Sequence, residues 1–333
     1  MFRPGPRNLI TDVAGLRVGQ ASDDRLKSGV TAILCDIPAV AGVQVLGGAP
    51  GTRETDLLEP HNTVETVNAV VLAGGSAFGL DAASGVQAAL REDGVGLQVR
   101  GHTVPVVPAA IIFDLANGGD KDWGRYPPYR ELGYAAARAA ARDFALGSAG
   151  AGTGALTAGL KGGVGSASTV LPGGIHVGAL AVVNAVGSVT LGRSRHFWAA
   201  PFEIDAEFGG QGYPSPIPAD AQEVRLKFRD KAANTTIAVV ATDAVMTPAA
   251  AKRLAIAAHD GFARAIWPAH TPADGDLVFA LATGTSCKTV ADDAAIDLYA
   301  AAGATMARAI ARGVHAATPA AGDLFPAWSS RPA

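Results

Sequence analysis

The residues of this 333-residue chain that most suggest chemistry are Asn234, Thr235 and Thr236, which stand directly before an apolar run, residues 237–241. If the bond between Asn234 and Thr235 breaks, Thr235 becomes the first residue of a new chain. An N-terminal threonine carries a nucleophilic hydroxyl and a basic α-amine on one residue. The unperturbed pKa of an α-amine, about 7.7–8.0, suits a general base near neutral pH. The pattern therefore predicts a self-cleaving amide hydrolase; the alternatives are a loop entering a strand or a glycosylation acceptor.

Two carboxylates, Asp274 and Asp276, flank Gly275 just before a second apolar run, residues 277–281. Asp-Gly is a strong turn signal, so a tight turn is one interpretation. The functional interpretation places both carboxylates beside the new amine of Thr235, where they would hold the amine and tune its basicity.

Two further polar residues interrupt stretches of unusual composition. Asn184 lies inside an apolar run, residues 179–186, and Lys161 lies in a glycine-rich stretch, residues 159–166. A buried amide is costly unless it is hydrogen-bonded, so Asn184 is either a structural residue at a bulge or an oxyanion donor. Lys161 is either solvated or close to the nucleophile's hydroxyl, since flanking glycines allow close backbone approach. Its stretch lacks the residue order of a phosphate-binding loop.

The composition excludes several classes of protein. The net charge is −3, and the charged residues, 17% of the chain, are scattered without a basic stripe, so we expect no nucleic-acid partner. No apolar run reaches the ~18 residues of a membrane span, and the N-terminus lacks the apolar core of a signal peptide. Cys35 and Cys287 form no disulfide framework, and the histidines have no metal-site or triad spacing. We expect a cytoplasmic protein without metal or cofactor.

Short apolar strands alternating with helices must position these residues, which indicates one α/β or α+β domain spanning residues 1–333. We predict a glycine loop at 148–168, a surface loop at 205–218, and a helix that begins after the N-cap Thr247. The other predicted helices are 77–90, 133–144 and 296–311. The predicted strands are 16–18, 29–35, 42–46, 69–73, 106–115, 177–189, 237–242 and 277–282.

Taken in order, these motifs resemble the P1 family of peptidases (family S58) over nearly the whole chain. This family includes L-aminopeptidase/D-esterases, β-peptidyl aminopeptidases and the nylon-oligomer (6-aminohexanoate oligomer) endohydrolase. The matching segments are residues 8–19, 47–56, 73–80, 161–168, 184, 234–236 and 274–276.

The resemblance implies an α+β fold, a four-layer αββα sandwich of the N-terminal-nucleophile-hydrolase type. It also implies autocatalytic cleavage into residues 1–234 and 235–333, and assembly into a homo-oligomer such as a tetramer. By the same resemblance Thr235 is the nucleophile, Asn184 the oxyanion donor, and Lys161 the lysine near the hydroxyl. Asp274 and Asp276 become the acidic pair near the amine.

The nucleophile pattern also bears on the substrate. The family's aminopeptidase branches use serine with a Ser-x-Glu pair, whereas Thr235 with Asp-Gly-Asp is closer to the nylon-oligomer enzyme. That enzyme has a tyrosine near its active site, and Phe113 is the best match here. We expect an aminopeptidase-like enzyme that cleaves short peptides or amino-amides. The alternatives are an endo-acting hydrolase of 6-aminohexanoate oligomers, an acyltransferase, a non-catalytic binding protein and a nucleotide-binding protein.

Overall fold

The computed structural model describes residues 2–228, 234–290 and 292–331, without the side chains of residues 292–294. Within these residues the longer helices are α1 (Ala82–Glu92), α2 (Tyr129–Arg138), α3 (Pro248–Ala263) and α4 (Asp292–His315). The strands are β1 (Leu16–Asp23), β2 (Ser28–Val45), β3 (Thr52–Arg53), β4 (Thr66–Ala73), β5 (Leu97–Val99), β6 (His102–Val104), β7 (Ala109–Ile111), β8 (Leu156–Thr157), β9 (Leu160–Lys161), β10 (Gly163–Val170), β11 (His176–Asn184), β12 (Thr235–Thr242) and β13 (Leu277–Ala282).

Two layers of strands are joined by the long strand β2. Its first half pairs with β1 and β4, and the layer continues to β7 and β3. Its second half, from residue 40, pairs with β13, and that layer continues through β12 and β11 to β10. The register of β2 against β4 shifts between Leu34 and Ala39, an irregularity that bends a strand. The two strands predicted at 29–35 and 42–46 are therefore one strand that serves both layers.

A hydrophobic core fills the space between the layers, where Ile237 of β12 and Phe279 of β13 meet Ile33 of β2 and Leu72 of β4. The outer face of the first layer packs against α1 and α2, and that of the second packs against α3 and α4. β12 and β13 are buried on both faces, which fits their continuously apolar stretches at residues 237–241 and 277–282. The predicted α+β fold with four αββα layers is confirmed.

The glycine-rich stretch predicted as a loop at 148–168 contains part of a strand, β10. Its glycines let α4 lie directly on this strand, since a Cβ on Gly165 would stand 1.8 Å from the carbonyl oxygen of Ala309. Other bounds also differ from the prediction. Of the strand predicted at 106–115 only Ala109–Ile111 forms, the helix at 77–90 begins with a 3-10 turn, Ser76–Asp81, and the predicted helix 133–144 is α2.

The remaining elements agree more closely with the sequence. The strand predicted at 277–282 is β13, and the Thr247 hydroxyl caps α3 by accepting a hydrogen bond from the Ala250 N–H (3.3 Å). Residues 205–218 contain no helix or strand. Cys35 and Cys287 are both free thiols. Across the described residues, no helix combines the length and the apolar character needed to cross a membrane.

Candidate active site

Thr235 is the first residue of β12, and its side chain lies against the carbonyl group of the residue before it. The Thr235 hydroxyl donates a hydrogen bond to the Asn234 carbonyl oxygen (2.5 Å), and the Gly275 N–H donates to the same oxygen (2.8 Å). Both Asn234 and Thr235 are almost fully buried. Donors on a carbonyl oxygen stabilise the negative charge that develops when a nucleophile attacks the carbon. A hydroxyl, a peptide carbonyl and a backbone N–H donor are thus brought together at one peptide bond.

Gly275 can occupy this position because it has no side chain. A Cβ there would lie 2.6 Å from the Ala49 carbonyl oxygen and 2.9 Å from the Thr235 hydroxyl oxygen. A strand-like bridge between Asn234 and Asp274 holds the two segments side by side, with the Asn234 N–H donating to the Ala273 carbonyl (3.0 Å). The glycine of Asp-Gly-Asp therefore contributes its N–H group to the site, a role that the sequence analysis did not assign.

The two carboxylates on either side of Gly275 are buried and hydrogen-bonded. Asp274 accepts from the Val186 N–H (3.2 Å) and, on its other oxygen, from the Thr271 N–H (3.0 Å) and hydroxyl (2.6 Å). Asp276 accepts from the Thr236 N–H (2.8 Å), directly next to Thr235. Burial, followed by the neighbouring charge of Asp276, raises the pKa of Asp274. The role of the two carboxylates beside a Thr235 amine stays a prediction.

Asn184 ends β11 and stands directly opposite Thr235 in the antiparallel register. Its side-chain oxygen accepts from the Leu156 N–H (3.0 Å), and its amide nitrogen donates to the Phe113 carbonyl (3.0 Å). These contacts fix the orientation of the amide and leave one N–H of its NH₂ group for a further acceptor. Phe113, the match to the tyrosine of the nylon-oligomer enzyme, therefore borders the site through its backbone.

Lys227, which the sequence analysis did not single out, reaches the same amide. The Lys227 ammonium donates to the side-chain oxygen of Asn184 (2.9 Å), to its backbone carbonyl (3.0 Å) and to the Leu156 carbonyl (3.2 Å). Burial lowers the pKa of Lys227 to about 7, although Asp274 and Asp114 oppose the change. The available signal was weak: a lysine between Leu226 and Phe228, a few residues before Asn234.

Lys161 is buried as well, but its ammonium group contacts a carboxylate away from Asn184. It forms an ion pair with Asp323 (2.7 Å), which Lys27 shares (3.0 Å). These residues border a cavity of about 350 Å³. Lys161 pairs with Leu156 across the β8–β9 ribbon, and the Leu156 N–H donates to the side chain of Asn184. In the described part of the chain, Lys161 forms no hydrogen bond with Thr235. The role of Lys161 near the Thr235 hydroxyl therefore stays a prediction.

Known proteins resemble this chain over nearly its whole length. Residues 8–324 match peptidase family S58. An uncharacterized aminopeptidase of Mycobacterium tuberculosis (strain H37Rv) is 46% identical, over 96% of this chain and 98% of that protein. The 6-aminohexanoate-oligomer endohydrolase of Kocuria sp. (strain KY2) is 30% identical, over 84% of this chain and 76% of that protein.

Solved structures agree with the fold described above. A Burkholderia sp. beta-aminopeptidase superimposes with a TM-score of 0.75 at 25% identity, covering 98% of this chain and 92% of that one. The L-aminopeptidase D-Ala-esterase/amidase of Ochrobactrum anthropi, described as a variant of the Ntn hydrolase fold, gives a TM-score of 0.71 at 24% identity, covering 98% and 91%. The chain thus has an Ntn-hydrolase-like fold and belongs to peptidase family S58, as an enzyme of the peptidase/amidohydrolase class.

Proposed function

We propose that this chain is the precursor of a self-processing N-terminal threonine amide hydrolase that acts on short peptides or amino-amides. The observation that carries the proposal is the contact of the Thr235 hydroxyl with the Asn234 carbonyl, whose oxygen also accepts the Gly275 N–H. A nucleophile held against its target within one molecule reacts faster, because the entropic cost of bringing two reactants together has already been met.

Self-cleavage proceeds in two steps. The Thr235 oxygen attacks the Asn234 carbonyl carbon, the C–N bond breaks, and the hydroxyl proton ends on the released α-amine. The resulting ester is then hydrolysed by water, which leaves a carboxylate on Asn234 and a free hydroxyl on Thr235. The Gly275 N–H stabilises the oxyanion in both steps.

Substrate turnover repeats this chemistry on another amide. The α-amine of Thr235 takes the proton of its own hydroxyl, and the oxygen attacks the substrate carbonyl to form an acyl-enzyme that water releases. The free N–H of the Asn184 amide is suited to donate to the oxyanion, because Lys227 and Leu156 hold the other end of that amide. Asp274 and Asp276 hold the amine in place.

A second substrate class is favoured by a specific observation. Threonine with Asp-Gly-Asp, together with 30% identity to a 6-aminohexanoate-oligomer endohydrolase, favours linear ω-amino oligoamides. An acyltransferase would form the same acyl-enzyme and differ only in its acceptor. Assaying amino-acid p-nitroanilides beside 6-aminohexanoate oligomers, with and without an added amine acceptor, separates the three activities by their products.

The first test is the intact mass of the purified protein, with N-terminal sequencing of any smaller chain. We expect two chains, the smaller beginning at Thr235. Thr235→Ala lacks the hydroxyl and should stay a single chain without turnover, whereas Thr235→Ser keeps a hydroxyl and should still be cut. Full activity in Thr235→Ala, or an uncut wild-type chain that turns over substrate, would overturn the proposal.

A further inference from the structure

Two histidines that the mechanism above does not use form a line of hydrogen bonds behind Asp276. Nδ1 of His270 lies 2.9 Å from the Asp276 carboxylate, and Nε2 of the same ring lies 3.2 Å from Nδ1 of His259. Nε2 of His259 lies 2.9 Å from the carbonyl oxygen of Gln44 in β2. His259 comes from α3 and is buried, and the ring of Phe262 packs against both imidazoles.

The direction of each hydrogen bond follows from the last acceptor in the line. A carbonyl oxygen can only accept, so Nε2 of His259 carries a hydrogen, and a neutral His259 then accepts at Nδ1. Nε2 of His270 must therefore donate to His259, while its Nδ1 faces a carboxylate. Two neutral imidazoles supply two hydrogens, but the line has three bonds to fill. One additional proton belongs to the line.

Surrounding groups decide where this proton resides. Burial lowers the pKa of His259 to about 4, so this ring is neutral at neutral pH. Asp276 also accepts two backbone N–H groups, of Thr236 (2.8 Å) and of His270 (2.9 Å), so it acts as an acceptor in each of these contacts. His270, whose ring lies against this carboxylate, is left to carry the proton. Other charged groups that act on this cluster include Asp260 on α3, Asp274 beside Asp276, and Lys227, which interacts with Asp274.

We propose that His259 fixes His270 as an imidazolium on Asp276, and that this charge pair lowers the pH at which the Thr235 α-amine can act as a base. The inference rests on the proposed function, because the amine exists only after cleavage. Negative charge beside the amine favours its ammonium form, which cannot accept a proton. With His270 charged, the Asp274–Asp276 pair presents one negative charge fewer to the amine. His259 and His270 are thus positioning residues that act through Asp276.

The first experiment measures the dependence of kcat/KM on pH. His270→Asn keeps a donor toward Asp276 without the charge, and asparagine tolerates the left-handed backbone there (φ 56°). His259→Leu removes the acceptor that forces the extra proton. We expect both variants to move the acidic limb of the profile about one pH unit upward, because an unmasked negative charge favours the ammonium form. Lower activity without a shift of the limb would overturn the proposal.

Two further variants are controls. His259→Asn keeps an acceptor near the position of Nδ1 and should retain the wild-type profile. His176→Asn removes a similar imidazole–carboxylate contact, that of His176 with Asp243 (2.8 Å), at the opposite end of β11. It should also leave the limb in place. A shift of equal size in His176→Asn would mean that the limb reports general charge changes and would contradict the assignment to His270.

A second measurement does not need cleavage or activity. In the uncut Thr235→Ala chain, ¹⁵N shifts should show both ring nitrogens of His270 protonated at pH 7.5, and adding His259→Leu should leave His270 neutral with its hydrogen on Nδ1. A neutral His270 in Thr235→Ala would overturn the proposal even if self-cleavage is established. A charged His270 in a wild-type chain that is never cut would instead contradict the proposed function alone.

Discussion

Lys227 is buried, and three oxygens of Asn184 and Leu156 accept hydrogen bonds from its ammonium group. Burying a charged group costs free energy unless it is hydrogen-bonded, and here each hydrogen bond also satisfies a buried oxygen. By occupying one end of the Asn184 amide it determines where the other end can donate. At the residue scale, the orientation of Asn184, the proposed oxyanion donor, is therefore controlled by a residue upstream of the proposed cut.

Replacing this lysine with methionine keeps most of the side-chain volume and removes the donor. We expect Lys227→Met to slow substrate turnover by roughly 10–100-fold through a displaced Asn184, because small misplacements of catalytic groups have effects of this size. Steady-state kinetics beside the melting temperature separate this effect from unfolding. Lys161→Met is the comparison, and a smaller loss is expected for it. If Lys161→Met lost as much activity as Lys227→Met, the result would support the predicted role of Lys161 near the Thr235 hydroxyl.

At the scale of elements, the close contact of α4 with β10 depends on glycine. Gly165→Ala would place a methyl group 1.8 Å from the Ala309 carbonyl oxygen, which forces the helix and the strand apart. We expect a loss of about 2–3 kcal/mol of unfolding free energy, typical of overpacked interiors. Urea denaturation measures it. Gly303→Ala in the same helix meets atoms no nearer than 3.4 Å and should be neutral or slightly stabilising. Equal stability of the two variants would contradict this account.

The same contact explains which elements could be predicted from the sequence. Continuous apolar runs such as 277–282 reveal a doubly buried strand directly, and Thr247-Pro248 marks a helix start by its own chemistry. Glycines at 163 and 165 favour a loop when only the local sequence is considered. Their reason becomes clear only in the fold, where they let the backbone of β10 approach α4 closely. Thr235, Asn184 and the Asp-Gly-Asp carboxylates stand out within their own segments. Lys227 and His259 contact residues that are far away in sequence, Asn184 and Gln44, so local patterns could not identify them. His270 lies only six residues before Asp276, but its spacing alone does not indicate that the two side chains meet.

At the scale of the whole molecule, residues 235–333 are inserted into the fold of the preceding residues. β12 and β13 lie side by side between β11 and β2, both of which belong to residues 1–234. A chain cut before Thr235 would keep both sets of strand hydrogen bonds and the core between the layers. The proposed cleavage would therefore change the connectivity of the chain without separating the two products.

We accordingly expect the two products of self-cleavage to co-elute in gel filtration and to separate only in denaturant. They should also unfold in one transition, since neither has a complete core of its own. Native mass spectrometry checks the association and reports the oligomer, for which we propose a homo-oligomer. Recovery of residues 235–333 as a free, folded chain would contradict this expectation.

The position of Lys227 in the sequence has a consequence for the lifetime of the cleaved enzyme. After cleavage the first chain ends at Asn234, so seven residues, 228–234, separate this lysine from a new carboxyl end. A carboxypeptidase that removed those seven residues would leave Lys227 and its contact with Asn184 in the chain. Removal of an eighth residue would delete the donor that orients the amide. The number of residues left after Lys227 would then determine how much trimming the enzyme tolerates. Molecules trimmed past residue 228 would lose activity while their fold and Thr235 stay intact.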